Sequence, residues 1–142
     1  MLLVKTFLGE SKIHGIGLFA AESLKKGTVI WEFSPHIDMT FPITRVHEAP
    51  QQVKEFLNTY GYVPIERPDV YIICVDNARF INHADKPNTD DTTGKTIASR
   101  DIASGEEILS DYTSFEVPGD RPFYIGEGKI PAGMHLNTTA TM

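Results

Sequence analysis

Two glycines one residue apart, in Lys12-Ile13-His14-Gly15-Ile16-Gly17-Leu18-Phe19-Ala20, are the first feature of this 142-residue chain with a chemical use. Without a Cβ, the backbone there can bring its amides and carbonyls close to a ligand. The same spacing also makes an ordinary turn. A dinucleotide fingerprint would need a third glycine three residues on and a helix opening there, and position 20 is Ala in a stretch with no helical pattern. A second stretch, Arg79-Phe80-Ile81-Asn82-His83-Ala84-Asp85-Lys86-Pro87-Asn88, concentrates turn formers and side-chain hydrogen-bonders. Asn82 can pair with an ammonium or a carboxylate, and His83 offers both a ring and a backbone. A capped loop with a surface histidine uses the same residues. His14, His36, His47 and His135 show no ligand spacing with it, so no metal site is expected. The third stretch, Gly105-Glu106-Glu107-Ile108-Leu109-Ser110-Asp111-Tyr112, ends a strand-like run on a phenol. That position is usual for a half-buried edge aromatic, and nothing in this stretch alone points to catalysis.

The elements that must hold these stretches are mostly short strands. Leu2 to Leu8 is apolar and β-prone, Gly9 to Gly17 is turn-rich, and Lys25-Lys26-Gly27 makes a turn before Thr28 to Phe33. Between Glu48 and Tyr62 the period changes. Val53, Phe56, Leu57 and Tyr60 fall at i, i+3, i+4 and i+7, one face of a predicted helix that Gly61 would stop. β character returns at Val70 to Val75, Lys95 to Ser99 and Glu107 to Leu109. After Pro118 the chain reads as loop, and from Pro131 as a mobile tail. Strands with one inserted helix give a mostly β class; the alternating helices of a parallel α/β sheet are missing.

Composition narrows the function classes. Hydrophobic residues at 41% and charged residues at 23% predict one globular domain with a short tail. The net charge is −6, with no basic run beyond Lys25-Lys26, so direct nucleic-acid binding is not expected. An acidic surface steers instead toward a basic partner. Cys74 is the sole cysteine, which excludes an intramolecular disulfide and a cysteine-rich zinc cluster; a buried thiol in a reducing compartment is expected. No run approaches the ~20 apolar residues of a membrane span. The opening Met1-Leu2-Leu3-Val4-Lys5 lacks signal-peptide features, so a cytoplasmic protein with no membrane partner is expected. Oligomeric state is left open.

Together, in this order and spacing, the three stretches resemble the SET domain of protein-lysine methyltransferases over roughly Lys5 to Tyr112. His14 to Ala20 resembles the family's Gly-x-Gly segment. Arg79 to His83 with Pro87-Asn88 resembles its Arg-Phe-Ile-Asn-His-x-x-x-Pro-Asn loop, and Gly105 to Tyr112 resembles the strand ending in its catalytic tyrosine. The resemblance implies a β-clip-like fold of small curved sheets with one inserted helix and a C-terminal pseudoknot. That crossing would bring Asn82-His83 beside Asp111-Tyr112. It implies a SET domain over 1–115 with a variable insert at about 36–69, then a lid segment and mobile tail over 116–142. The implied cofactor is S-adenosylmethionine with no metal, and the implied substrate a lysine-containing protein, basic and histone-like in character. The backbone of His14, Gly15 and Ile16, with Gly17 completing the segment, would hold the cofactor's methionine portion. Asn82 would bond its amino group, and the His83 backbone its adenine. Tyr71 would line the cofactor pocket or the lysine channel, or serve as a plain core tyrosine. Tyr112 would be catalytic, its hydroxyl directed at the methyl and the amine.

These residue types suit the chemistry the resemblance implies. In-line displacement needs an aligned, neutral amine, whereas a free lysine has a pKa near ~10.4. An apolar channel disfavours the ammonium by desolvation. Oxygen acceptors can position a methyl through weak C–H contacts. A phenol near pKa ~10 orients better than it accepts protons. The chain also departs from the family pattern. Many members carry Asn-His-Ser-Cys and a later cysteine cluster binding zinc; here Ala84 and Asp85 follow, and no cysteine comes later. Phe115, Phe123 and Tyr124 are therefore the candidates for closing the lysine channel. Ser110 stands where many members place a bulky aromatic that limits methyl addition, and its small side chain leaves room for methylated amines. An inactive SET-like interaction module is the alternative that the missing zinc lid keeps open.

Overall fold

The computed structural model describes residues 1–118, and it is mostly β, with four small sheets of two or three strands and few helices. Thr6–Glu10 (β1) and Ile16–Ala20 (β2) pair antiparallel, Phe7 opposite Phe19 with their rings stacked at 5.4 Å. Next come Val29–Trp31 (β3), Met39–Pro42 (β4), the helices Ile43–His47 (α1) and Gln51–Tyr60 (α2), Gly61–Tyr62 (β5) and Val70–Ile73 (β6). The remaining strands are Asn82–His83 (β7), Thr89–Asp90 (β8), Thr96–Ala98 (β9) and Leu109–Ser110 (β10). β9 lies between β3 and β8, and β6 between β4 and β5, all antiparallel.

The main core gathers Leu18 and Ala20 from β2, Ile30 and Trp31 from β3, and Ala98, Ile102 and Ile108 from the C-terminal half. Each fully buried aliphatic side chain contributes roughly 1.5–3 kcal/mol. Cys74 is buried in the same core, as its apolar run predicts, and burial pushes its thiol well above the ordinary range.

The predicted helix is α2, but a second helix, α1, precedes it, and the buried face differs from the predicted one. Leu57 is buried with Val46 and Ile73, whereas Val53 and Phe56 are 44% and 48% exposed. α2 rests on a three-stranded sheet too small to cover a whole helical face. Phe56 packs sideways on Tyr60 at 5.1 Å, and Tyr60 on Phe80 at 5.8 Å. Gly61 follows α2 in extended conformation and passes directly into β5.

Two short 3-10 turns aim the segments that matter. Asp76 caps Asn77–Phe80, its carboxylate accepting from the Ala78 N–H at 3.0 Å and the Leu2 N–H at 2.6 Å. Asp111 caps Tyr112–Ser114 in the same manner through the Thr113 N–H at 3.0 Å. Between these turns, β7 and β10 run parallel, with Asn82 opposite Leu109 and His83 opposite Ser110. Asn88 fastens the pair: its Nδ2 donates to the Glu107 carbonyl at 2.8 Å, and its Oδ1 accepts from the Leu109 N–H at 2.9 Å.

Candidate active site

The loop between β1 and β2 is wound around Ser11. Its hydroxyl accepts the N–H groups of Ile13 (2.9 Å) and His14 (3.2 Å) and donates to the Glu107 carboxylate at 2.7 and 3.0 Å. Gly15 closes the loop at φ +53°, a conformation that side chains with a Cβ rarely adopt. Gly17 serves differently: a Cβ there would collide with Glu107 Oε2, so the second glycine is the space into which that carboxylate reaches. Asn82, 3% exposed, completes the arrangement. Its Nδ2 faces the carbonyls of His14 (3.1 Å) and Ile16 (3.2 Å) and Glu107 Oε2 (3.2 Å). Three acceptors surround an amide with two N–H bonds. An ammonium, with three donors and a positive charge, matches that set. Glu107 went unrecognised in the sequence as part of the site, because its partners lie 25 and 96 residues away.

Tyr112 is joined to the Asn-His loop from both ends. Its backbone N–H donates to His83 Nδ1 at 3.1 Å, and its hydroxyl donates to the Ile81 carbonyl. The rings of His83 and Tyr112 meet edge-on at 5.3 Å. Because Nδ1 accepts, the neutral His83 ring carries its proton on Nε2, which lies 3.4 Å from Asp85 Oδ1. The His83 ring thus supports the turn that presents the phenol.

Two cavities meet at that phenol. The smaller, about 130 Å³, is lined by His14, Gly15, Ile16, Phe80 and Asn82; the larger, about 290 Å³, has aromatic walls from Trp31, Phe33, Tyr62 and Phe115. Tyr60, Arg79, Ile81 and Tyr112 belong to both linings. Arg79 lies over the Phe80 and Tyr60 rings at 4.9 and 5.8 Å. Ser110 and Phe115 line the larger cavity, and Phe115 touches Tyr112 and Tyr62 edge-on at 5.8 and 5.2 Å. Burial pushes the Tyr62 phenol far above its usual range, so it stays neutral there.

Tyr71, for which the sequence leaves a pocket or channel role and a plain core role both open, lines neither cavity and takes the core role. It packs against Val46, Leu57 and Ile73, and its hydroxyl donates to Asn58 Oδ1 at 3.0 Å. Strand alternation is the reason: Ile72 and Cys74 face the larger cavity, so Tyr71 and Ile73 face the helices. His83, whose backbone was expected at the cofactor's adenine, lines neither cavity, and its ring contacts Tyr112. Phe123 and Tyr124 lie outside the described residues. Among the described residues, no three of His, Cys, Asp and Glu converge as a metal ion would require, and no helix is long and apolar enough to cross a membrane.

A small β fold in which two cavities share one buried tyrosine defines a class of architecture. The family model described as the SET domain matches residues 15–113, and the chain belongs to that family. A comparison with curated protein sequences finds no match. Among solved structures, the chain is similar to Polycomb Repressive Complex 2 of Chaetomium thermophilum. For a form bound to S-adenosylmethionine the TM-score is 0.59 at 24% identity, covering 80% of this chain and 16% of that one. For an apo form with two substitutions the TM-score is 0.63 at 23% identity, with the same coverages. A candidate histone methyltransferase from Plasmodium falciparum aligns with TM-score 0.54 at 23% identity, over 78% of this chain and 95% of that one. At these identities the likeness is one of fold, and the chain spans about 16% of the length of the Polycomb chains.

Proposed function

We propose that this chain is an S-adenosylmethionine-dependent protein-lysine N-methyltransferase whose substrate is a basic, histone-like protein. The observation that carries the reading is the position of Tyr112 in the shared wall of two cavities, one lined by the Gly-x-Gly segment and Asn82 and the other by aromatic rings. When bound, S-adenosylmethionine supplies the electrophilic methyl group. The carbonyls of His14 and Ile16, in the lining of the smaller cavity beside Asn82, suit its amino group, and the Arg79 guanidinium of the same lining suits its carboxylate. The aromatic walls of the larger cavity exclude water from an alkyl side chain and disfavour a charged amine by desolvation. The Tyr112 hydroxyl donates its hydrogen bond to the Ile81 carbonyl, so its oxygen lone pairs are left as acceptors that can orient an amine and a methyl group.

The net charge of −6 favours encounter with a lysine-rich partner. The test is incubation of the full chain with labelled S-adenosylmethionine and a panel of lysine-rich proteins, histones included, with calorimetric binding of the cofactor alongside. Label on lysine supports the reading. Cofactor binding without transfer to any substrate would favour an inactive SET-like module, and absence of both would refute the two.

A further inference from the structure

The larger cavity is not purely apolar. Asp91, 7% exposed, lies in its wall among the aromatic rings. Its carboxylate accepts from Thr96 Oγ1 at 2.5 Å and Thr89 Oγ1 at 3.1 Å, and also from the Ser110 hydroxyl. All three donors are neutral. Among the described residues no Lys, Arg or His forms an ion pair with Asp91, although buried carboxylates are ordinarily matched by a cation. Burial holds its carboxyl above the usual range, so the ionised form is under-stabilised by the protein alone. A second polar group of the same cavity differs from Asp91 in having no hydrogen-bond partner among the described residues. Trp31 is 5% exposed, and its indole N–H finds no acceptor among the described residues. A buried indole N–H normally has one. Aromatic faces around a carboxylate favour a cationic occupant, whereas the indole N–H, a donor, calls for an acceptor that an ammonium does not carry.

We propose that Asp91 is the specificity-determining anion of the larger cavity, capturing the cationic amine head of the substrate side chain as it enters. This deepens, and rests on, the reading of that cavity as the lysine channel. Aromatic walls alone would strip the hydration of an entering ammonium without replacing it. Asp91 replaces it, and thereby selects a charged side chain over a neutral one of similar length. Capture is a binding step, so it is expressed in KM more than in kcat.

The test uses n-butylammonium as the probe and n-butanol as its neutral counterpart, titrated into the full chain and followed by amide chemical shifts. Asp91→Asn is expected to weaken n-butylammonium binding about tenfold, the size of one lost charge-assisted contact (~1.4 kcal/mol). Butanol binding should change less than about twofold. Equal loss for both probes, or for neither, overturns the proposal. If Asp91→Asn does not fold, the wild-type titration still decides. Shifts must centre on Asp91, Thr96 and Ser110, and shifts centred elsewhere overturn it. Methyl transfer separates this idea from the reading beneath it. Turnover of a lysine peptide with unchanged KM in Asp91→Asn sinks the Asp91 role and leaves the methyltransferase standing. Asp91-dependent ammonium binding with no methyl transfer on any substrate does the reverse.

Discussion

Gly17→Ala places a methyl group where the Glu107 carboxylate now lies. The new Cβ would fall 2.9 Å from Glu107 Cδ and 3.1 Å from Ser11 Cβ, closer still to Oε2. A carboxylate on a flexible stem can move, but this one is held by Ser11 Oγ at 2.7 and 3.0 Å and by Asn82 Nδ2 at 3.2 Å. Displacing it breaks the Asn82 contact and stretches the Ser11 pair. Hydrogen bonds to charged groups contribute about 1.5–3 kcal/mol; Glu107 is half-buried, so the lower end applies, about 1.5–2 kcal/mol. At this chain length that corresponds to a fall of roughly 5 °C in Tm by calorimetry. Asn82 lines the smaller cavity, so on the proposed reading the loss of its contact with Glu107 should lower calorimetric affinity for S-adenosylmethionine about tenfold. The double variant Gly17→Ala/Glu107→Ala tests the cause. With the carboxylate gone there is nothing to displace, so the double variant should match Glu107→Ala alone within about 0.5 kcal/mol. The reasoning fails if Gly17→Ala melts and binds like the parent, or if the two losses add.

Other consequences follow from the same contacts. Asn88→Ala leaves the Glu107 carbonyl and the Leu109 N–H without their partner; urea unfolding should show a loss of about 2–4 kcal/mol with unchanged m, and an unmoved midpoint would exclude the fastening role. Asp91 bears on stability through pH. Its folded pKa is raised above the unfolded value, so the native state binds the proton more tightly. Its contribution is therefore most favourable below the unfolded carboxylate pKa and is lost as pH rises through the folded one. Asp91→Asn should accordingly gain Tm relative to the parent on going from pH 4 to pH 7. A constant difference would show that burial does not shift this group.

The sequence made the Asn-His loop and the tyrosine strand legible because both are built from local rules. Turn formers, side-chain hydrogen-bonders and a short strand stand at fixed spacings, and their meeting followed from the family resemblance rather than from periodicity. The helix over 51–60 was legible as an element, yet its buried face was not. The period finds an apolar stripe, but what covers the stripe is tertiary, and the small sheet under α2 reaches Leu57 and leaves Val53 and Phe56 outside. α1, five residues long, is too short to show a period at all. For Tyr71 the sequence left a pocket role and a core role open, and the pleat of β6 decides for the core. Glu107 and Asp91 carry no local signature, since both are defined by partners that only the folded chain brings to them.

Tyr112→Phe tests the central claim most directly, because it removes one hydroxyl at the junction of the two cavities and leaves the ring in place. With a lysine peptide that the parent methylates, single-turnover methyl transfer should slow about 10²–10³-fold, the cost of one lost oriented polar group at a reacting centre. S-adenosylmethionine affinity should stay within about threefold, since on the proposed reading its amino group is held at the His14 and Ile16 carbonyls. A Tyr112→Phe protein that transfers methyl groups at the parental rate would contradict the account.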